Sequence, residues 1–343
     1  MKPHSFFTSP SQPPTMRAVI PVSLAGLRSD QALARVFPEY SRTTLKSWIL
    51  AGRVQIDGRC VEPRHVVSGG EAVDLTPLPP SATLSIIGRE HPEAIPIELI
   101  HEDPDIRVVN KPAGLVVHPG AGNREGTMLN ALLYLDPGLA DLPRAGIVHR
   151  LDKDTSGLLV IARSPRAYRS LVAQIGARRI TREYQGIVSG ALVAGGSVEA
   201  AIGRHPVHRT RMAVVERGGK PALTQYRVIR RFRLHTQVRI TLETGRTHQI
   251  RVHMAHVHYP LVGDPVYGDR VRLPRGAAPA LIQALREFPR QALHAAGLAL
   301  EHPATGATLS FAVPLPADME ALIGLLTEDA QQRARPVDAP PRG

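Results

Sequence analysis

A proline-rich segment divides this sequence into two parts of unequal length. Residues 77–95 contain Pro77, Pro79 and Pro80 and follow neither a helical nor a strand periodicity, which is typical of a linker. Residues 17–76 can bury only a thin hydrophobic core, whereas residues 96–327 can form a full domain. The ends, residues 1–16 and 328–343, are polar and rich in proline, so we expect disordered tails there, and Met16 is a candidate start of the chain.

The short part has the pattern of two helices followed by a hairpin. Ser29 is the expected N-cap of the first helix and Ser41 that of the second. Asp57-Gly58, between two short apolar runs, predicts a two-residue turn. Two helices and such a hairpin resemble the alpha-L RNA-binding fold of S4-like domains. The residues that this resemblance places against RNA are Arg42, Lys46 and Arg53.

The long part consists of short strand-like runs with few helices between them. Residues 106–109 and 157–162 are short strand-like runs. Residues 238–242 alternate strictly between apolar and polar, which predicts one buried and one exposed face. Helical patterns are limited to residues 127–134, 167–175 and 280–288. The regular strand–helix rhythm of a doubly wound fold is missing. We therefore expect an α+β fold with a mixed, largely antiparallel sheet.

Much of the formal net charge of +12 arises in one stretch of the chain. Between Gly203 and His253 the sequence has eleven arginines and Lys220 but only two acidic residues. A solvated surface normally mixes both signs, and the flat guanidinium suits phosphate contacts. Aromatic residues make up only 4% of the chain, which argues against a stacking platform for single strands. We therefore expect a folded RNA held by its backbone. Candidate contacts are Arg204, Arg209 and Arg211.

Several classes of protein are disfavoured by what the sequence lacks. Cys60 is the single cysteine, so neither an internal disulfide nor a multi-cysteine zinc site can form. No apolar run reaches the roughly 18 residues that a membrane-spanning helix needs, and the first residues lack the apolar centre of a secretory signal. We expect a protein of the cytoplasm with no membrane partner.

Two motifs that could indicate a ligand have the wrong spacing. Residues 120–126 read GxGxxxG rather than the GxGxxG of dinucleotide-binding folds, so a glycine turn is the better interpretation. His248, His253, His256 and His258 match no standard set of metal ligands, and HExxH is absent. A metal-dependent hydrolase acting on RNA is therefore the weakest of the functional hypotheses, and we expect no metal and no cofactor.

The densest cluster of charges lies in residues 146–157, between two apolar runs. A polar turn between strands would explain such a cluster without any function. On extended backbone, however, Arg150 and Asp152 point to the same side, so a guanidinium can lie beside the carboxylate. Such a partner keeps a carboxyl group anionic where a bound base excludes water, and an anionic, partly desolvated carboxylate is a competent nucleophile.

This cluster resembles the signature of RluA/RluD-type pseudouridine synthases, and similar motifs follow in the expected order over about residues 96–320. The likeness is closest to the RluD-like branch. Arg182 and Gly186 depart from the pattern, in which lysine and alanine are common. The segments that carry the resemblance are 110–112, 117–120, 149–157, 182–184, 204–206, 210–214, 244–253, 261–268 and 291–295.

The resemblance implies a reaction and assigns residues to it. Uridines of large-subunit (23S) ribosomal RNA, in the loop of helix 69, would be isomerised to pseudouridine with no cofactor. Asp152 would be the catalytic carboxylate, Tyr184 the ring that packs on the flipped uracil, and Arg246 the arginine paired with the carboxylate. Arg150 would fill the place of the extruded base. Further candidates for substrate binding are His149, Arg251, Lys111 and Leu293.

Some alternatives stay open at the level of the sequence. Apart from the resemblance, Tyr184 is better interpreted as a core tyrosine, and Arg251 could be a phosphate contact or a structural partner. The sequence does not choose between a covalent sugar adduct and a glycal route. The expected partner is large-subunit ribosomal RNA, free or within an assembling subunit, and the expected state is a monomer. The rival function is a non-catalytic RNA-binding ribosome assembly factor.

Overall fold

A computed structural model of the protein describes residues 14–40, 42–78, 91–120, 122–208 and 210–334. The chain divides into two compact units, Met1–His91 and Pro92–Gly343. Most of the predicted linker and parts of both predicted tails lie outside the described residues, as do Ser41 and Arg209. No helix among the described residues is long and apolar enough to cross a membrane.

The first unit is a small antiparallel sheet packed on two helices, α1 (Ser29–Val36) and α2 (Arg42–Leu50). The strands, in the order β1-β4-β2-β3, are β1 (Met16–Val19), β2 (Val54–Ile56), β3 (Arg59–Cys60) and β4 (Ala72–Leu75). Asp57 and Gly58 both have positive φ, which confirms the predicted hairpin turn between β2 and β3. Its core includes Leu33, Leu45, Trp48 and Val73.

Two local predictions for the first unit need correction. Ser29 is not the N-cap of α1, because helical geometry begins at Ser29 itself and its hydroxyl donates to the carbonyl of Glu62 instead. Met16 was assigned to the tail, but it is the first residue of β1 and pairs with Leu75. In both cases the decisive contact comes from a residue more than thirty positions away.

The second unit is built on a nine-stranded sheet with the order β5-β6-β7-β14-β8-β13-β12-β9, and β15 pairs with β14. Only β7 and β14 run parallel, over two register pairs, so the predicted mixed, largely antiparallel sheet is confirmed. β10 and β11 form a separate hairpin. The strands are β5 (Glu98–Glu102), β6 (Ile106–Lys111), β7 (Ser156–Ala162), β8 (Thr181–Ser189), β9 (Gly196–Glu199), β10 (Ile202–Arg204), β11 (Met212–Val214), β12 (Leu223–Arg231), β13 (His235–Leu242), β14 (Leu293–Glu301) and β15 (Thr308–Ala312).

The described residues of this unit form five α-helices, and the three predicted helical patterns correspond to the first, second and fourth of them to within a few residues. They are α3 (Met128–Leu135), α4 (Pro165–Gly176), α5 (Gln249–His256), α6 (Pro279–Glu287) and α7 (Ala317–Ala334). The side chain of Thr127 caps α3 and that of Ser164 caps α4. The predicted C-terminal tail is wrong for residues 328–334, which continue α7. Asp329 within them is buried and accepts a hydrogen bond from Arg233.

The register of the central strands assigns their side chains to two faces. Tyr184 pairs with Ile240, and Ile240 with Tyr226, so these three share one face. Helix α5 covers that face, since Gln249 and His253 both bond the hydroxyl of Thr224, whose partner Leu242 is on the same side. We call this side of the sheet, which carries Tyr184, Ile240 and Tyr226, the cleft face. In β13, Val238, Ile240 and Leu242 are buried and Arg239 is exposed, as the alternating pattern predicted.

Glycine is required where β7 meets β14. Gly157 has a φ of 116°, and a Cβ there would overlap the backbone of Ala295. Its neighbour Ser156 adds a hydrogen bond between its hydroxyl and the Nδ1 atom of His294, at 2.9 Å. The two strands therefore approach closely at the point where the chain leaves the 146–155 loop. In the described part of the GxGxxxG stretch, Gly122 and Gly126 have positive φ, as expected for a glycine turn.

Candidate active site

The loop that carries Asp152 lies between a short 3-10 helix (Pro143–Gly146) and β7. Two buried cations hold its backbone. The amine of Lys111 donates to the carbonyls of Pro112, Leu115 and Lys153 at 2.8–2.9 Å. The guanidinium of Arg290 donates to the carbonyl of Asp154 at 3.2 Å and is paired with Asp318. Hydrogen bonds from these two side chains thus fix the backbone of the loop at Lys153 and Asp154, directly after Asp152.

Lys111 was predicted to bind substrate, and the structure corrects this. Its side chain is fully buried and its three donors point to backbone carbonyls. Burial lowers its pKa to about 7, against the opposing charges of Asp154 and Asp152. Lys111 therefore supports the loop. It does not line the cleft that Asp152 faces, where a substrate could lie.

A cleft of about 360 Å³ lies in front of the loop. Its walls come from the 116–123 segment, the loop itself and the start of α5. The polar side chains that line it include His118, Asn123, Arg150, Asp152, His248 and Arg251. A cleft of this size, with the carboxylates of Asp152 and Asp154 among hydrogen-bond donors, is suited to a single base or sugar.

Asp152 is paired with Arg251 at the base of this cleft. The Nη1 atom of Arg251 donates to Asp152 at 3.1 Å, and its Nε and Nη2 atoms donate to Asp264 at 2.7 and 2.9 Å. Burial alone would lower the pKa of Arg251, but the hydrogen bonds and charge of Asp264, and then Asp152, raise it above its usual value. Arg251 is a permanent cation held in place by Asp264, so it offers Asp152 a fixed positive partner.

His248 and Tyr267 complete the wall beside Asp152. The Nε2 atom of His248 lies 4.0 Å from Asp152, and its Nδ1 atom is 2.8 Å from the hydroxyl of Tyr267. That hydroxyl also accepts from the backbone N–H of Met212, and the Tyr267 ring lies under the guanidinium of Arg251. Burial is the main cause that lowers the pKa of His248, so the ring is neutral at neutral pH.

Tyr184 lies on the cleft face of β8 and is 5% exposed. Burial raises the pKa of its phenol to about 12, and the charge of Asp152 adds to that rise. The phenol therefore keeps its proton at neutral pH, and the ring presents an apolar surface close to the carboxylate. Arg182 and Gly186, the two departures from the family pattern, are on the same face of this strand.

The structure does not bring Arg246 to Asp152, so the predicted pair is wrong. Arg246 lies before α5 begins, and its Nε atom donates to the carbonyl of Pro221. Arg251, on the first turns of that helix, takes the expected place. The guanidinium beside Asp152 is likewise that of Arg251 and not of Arg150, which is exposed at the edge of the cleft.

Two other predicted contacts are structural. His149 accepts a hydrogen bond from the backbone N–H of Val160, and burial lowers its pKa to about 3. Leu293 is 3% exposed and belongs to the main hydrophobic core. Asp264, His248 and Tyr267 were missed as site residues, although the motif segments 244–253 and 261–268 contain them. The signal was present, but the sequence did not show which members of those segments meet Asp152.

The side chains that were predicted to contact RNA differ in their exposure and in whether they already bond to other groups of the protein. Arg42 is bonded to Asp30 at 2.7 Å, so part of its donor capacity is used within the first unit. Lys46 and Arg53, both at least partly exposed, lie on α2 and just before β2. Arg204 and Arg211 are exposed at the β10–β11 hairpin. Within the described ranges, no group of three or more potential ligands could hold a metal ion.

Comparisons with known proteins agree with this architecture. A family model described as RNA pseudouridylate synthase matches residues 105–256, and one for the S4 domain matches residues 28–73. The human protein RNA Pseudouridylate Synthase Domain Containing 4 has a similar structure, with a TM-score of 0.53 and 26% identity over 67% of this chain and 93% of that one. The human domain-containing protein 1 matches with a TM-score of 0.52 at 24% identity over 68% and 96% of the two chains, which supports the fold alone.

Bacterial relatives match over nearly the whole length. Ribosomal large subunit pseudouridine synthase D of Pseudomonas aeruginosa is 52% identical, over 92% of this chain and 96% of its own. The protein of the same name from Escherichia coli K12 is 50% identical, over 94% of this chain and 98% of its own. Identity at this level, over both units and with the motifs in order, leaves one conclusion: the chain belongs to the RNA pseudouridine synthase family, in the RluD-like branch that joins an S4 domain to the catalytic domain.

Proposed function

We propose that this protein isomerises uridine to pseudouridine in large-subunit (23S) ribosomal RNA, with Asp152 as the catalytic carboxylate. The observation that carries the proposal is the Asp152–Arg251 pair at the base of a cleft of about 360 Å³. The printed names of the bacterial relatives supply the class of RNA. Those names also favour an enzyme over a non-catalytic assembly factor. The presence of both the Asp152 carboxylate and the Arg251 guanidinium supports the same choice.

The reaction conserves the composition of the nucleotide, although the hydrogen on C5 leaves and a proton from solvent is taken up at N1. The bond between N1 of uracil and C1′ of ribose breaks, the base turns, C5 bonds to C1′, and the proton on C5 is exchanged for one on N1. Asp152 can engage the ribose, either by attack at C1′ or by removal of a sugar proton. Arg251 keeps the carboxylate anionic when a bound base displaces water from the cleft.

The neighbouring groups have supporting roles. Tyr184, protonated at neutral pH, packs against the uracil and limits water access to Asp152. In the tautomer whose Nδ1 atom accepts the hydroxyl proton of Tyr267, the Nε2–H of His248 faces Asp152 at 4.0 Å and is placed to donate to a substrate oxygen beside it. Arg251, held by Asp264, takes the role that the sequence assigned to Arg246.

The target uridine must leave its stack to reach Asp152, which costs about a few kcal/mol and less in a loop. Arg150, exposed at the edge of the cleft, is placed to fill the space that the base vacates. We assign the loop of helix 69 as the substrate, in free RNA or an assembling subunit. Backbone contacts from the S4 domain (Lys46, Arg53) and the β10–β11 hairpin (Arg204, Arg211) offset the cost of extrusion. We expect the protein to act as a monomer in the cytoplasm.

The test uses 23S ribosomal RNA transcribed with 5-tritiated uridine, since forming the C5–C1′ bond releases tritium. Asp152→Asn should bind the RNA as tightly as the unaltered protein and release no tritium. Asp141→Asn, which alters an exposed carboxylate outside the cleft, should behave as the unaltered protein. Appreciable tritium release by the Asp152 variant would remove the carboxylate from the mechanism. Pseudouridine mapping in the product would decide the site within the RNA.

A further inference from the structure

The basic stretch of residues 203–253 does not converge on the cleft. Arg251 is buried in the site, and Arg204 and Arg211 are on the β10–β11 hairpin. The register places two further arginines elsewhere: Arg227 on β12 pairs with Arg239 on β13, and Arg239 pairs with Gln185 on β8. Each of these positions is one residue from a cleft-face residue, so all three side chains are on the opposite side of the sheet. We call this side the arginine face.

Arg227 and Arg239 form a like-charged cross-strand pair. Both are exposed, and like charges directly opposite each other in a sheet destabilise it. Glu183 offsets part of this repulsion through an ion pair with Arg239 at 3.1 Å. The side chain of Arg239 nevertheless remains 53% exposed. Packing within the fold does not explain why two exposed arginines occupy opposed positions.

The surroundings of the pair are polar and open. Gln225 is exposed on the same face, since it pairs with Thr241 beside Arg239 on the neighbouring strand. Helices α6 and α7 cover only the far end, where Ile187 packs against Leu281 and Leu322. Arg230 lies at that border and donates to Thr327 of α7. Among the described residues of β8, β12 and β13, the rest of this face includes the amides of Gln185, Gln225 and Gln237, the hydroxyl of Thr241 and the carboxylate of Glu183 that pairs with Arg239.

We propose that the arginine face is a second RNA-binding surface, which contacts the phosphate backbone of a segment other than the one in the cleft. Guanidinium forks bind phosphate oxygens in pairs, and glutamine amides bond to sugar hydroxyls and phosphates. The two faces lie on opposite sides of one sheet, so a single stem-loop in the cleft does not reach both. The inference rests on the proposed function, because it presumes an RNA with structure beyond the modified loop.

The experiment compares two RNAs, a short stem-loop with the target uridine and a long 23S fragment that contains the same stem-loop. The Arg227→Gln/Arg239→Gln protein should bind the short RNA with unchanged affinity and the long RNA about tenfold or more weakly at ~0.1 M salt. The slope of log affinity against log salt for the long RNA should become less steep by about 1–2, as for two lost phosphate contacts. The matched control, Arg166→Gln/Arg169→Gln, removes two exposed arginines from α4 and should change neither value.

A second variant separates binding from folding. Arg227→Glu creates an attractive pair with Arg239, so its melting temperature should be unchanged or higher while its affinity for the long RNA falls further than in the glutamine variant. If Arg227 had only a structural role, Arg227→Glu would instead weaken binding of the long RNA less than the glutamine variant does.

Equal weakening for both RNAs would mean that the face contacts the stem-loop itself, and unchanged affinity for both would leave the face to another partner such as an acidic protein. Either result overturns the inference. Tritium release from the short RNA by the unaltered protein tests the proposed function separately, whatever the outcome for this face.

Discussion

Two arginine–aspartate pairs flank the loop that carries Asp152, and they differ in how far water reaches the carboxylate. In front of the loop, Arg251 binds Asp264 through two hydrogen bonds, and the side chain of Asp264 is fully buried. Behind it, Arg290 binds Asp318 with similar distances, but the side chain of Asp318 is 35% exposed. The first arginine also binds Asp152, whereas the second binds the backbone carbonyl of Asp154.

The comparison separates two tasks that a catalytic loop needs. The buried pair sets the charge that the Asp152 carboxylate meets, and it cannot lose either member without leaving a charge in the interior. The second pair fixes the position of the backbone, and its arginine is also buried, but water can reach the carboxylate of Asp318. Equivalent geometry thus has different energetic consequences because the solvent access differs.

Asp264→Asn should have the largest effect. Removing the buried negative charge leaves Arg251 with only Asp152 as a counter-ion and costs about 3–5 kcal/mol in the free energy of unfolding. We also expect at least a hundredfold loss in single-turnover rate, because Arg251 is no longer held in place. Chemical denaturation and rapid-quench kinetics measure the two effects. A rate within a few-fold of the unaltered protein would contradict the role given to this pair.

Lys111→Met should have an intermediate effect that depends on pH. The pKa of Lys111 is about 7 in the folded protein and about 10.4 in an unfolded chain. Between these values the unfolded chain binds the proton that the folded protein releases, so the contribution of Lys111 to stability rises with pH from about 7 to 10. The free energy of unfolding of the unaltered protein should therefore increase relative to the variant over this range, by up to a few kcal/mol.

The control is Lys220→Met, which removes an exposed amine and should give a constant difference across the same pH range. Parallel pH profiles for Lys111→Met and the unaltered protein would mean that the buried amine does not titrate as inferred. The amine would then stay charged over this range, and its hydrogen bonds to the loop would remain charge-assisted.

Asp318→Asn should have the smallest effect. The chemical change is the same as in Asp264→Asn, and it again leaves a buried arginine without its carboxylate. Arg290 keeps its hydrogen bonds to backbone carbonyls, and water reaches position 318, so we expect a smaller loss of about 1–2 kcal/mol in the free energy of unfolding and a rate reduced less than tenfold. Thermal unfolding and tritium release measure both. If the two aspartate variants were equally damaging, solvent access would not be the distinction between the pairs.

Much of the fold followed from local sequence patterns. The Asp57-Gly58 turn, the alternation around Arg239 and the glycine turn at 120–126 each depend on residues close together in the chain, and the structure has all three. The tail predicted from residue 328 failed for the opposite reason. Polar composition indicated disorder, but Asp329 is held by Arg233, almost a hundred residues earlier.

The sequence predicted the central residue of the candidate site, Asp152, but not the residues that contact it. Asp152 stands out because charges interrupt two apolar runs. The pairing of Arg150 with Asp152 assumed an extended backbone, whereas residues 150–155 form an irregular loop. The choice between Arg246 and Arg251 depends on where α5 begins, and the sequence does not fix that boundary to within a turn. Lys111 and Leu293 are buried by distant segments, which no local pattern reports.

The short parallel contact between β7 and β14 has a consequence for catalysis. It joins a three-stranded block, β5 to β7, to the larger block that begins at β14, through the pairs Ser156–His294 and Gly157–Ala295. Asp152 enters from the smaller block, while Tyr184 and Arg251 belong to the larger one. The active site therefore lies across the junction of the two blocks. The distances between the Asp152 carboxylate, the Tyr184 ring and the Arg251 guanidinium depend on how closely β7 and β14 approach each other, and Gly157 permits that approach because it has no side chain.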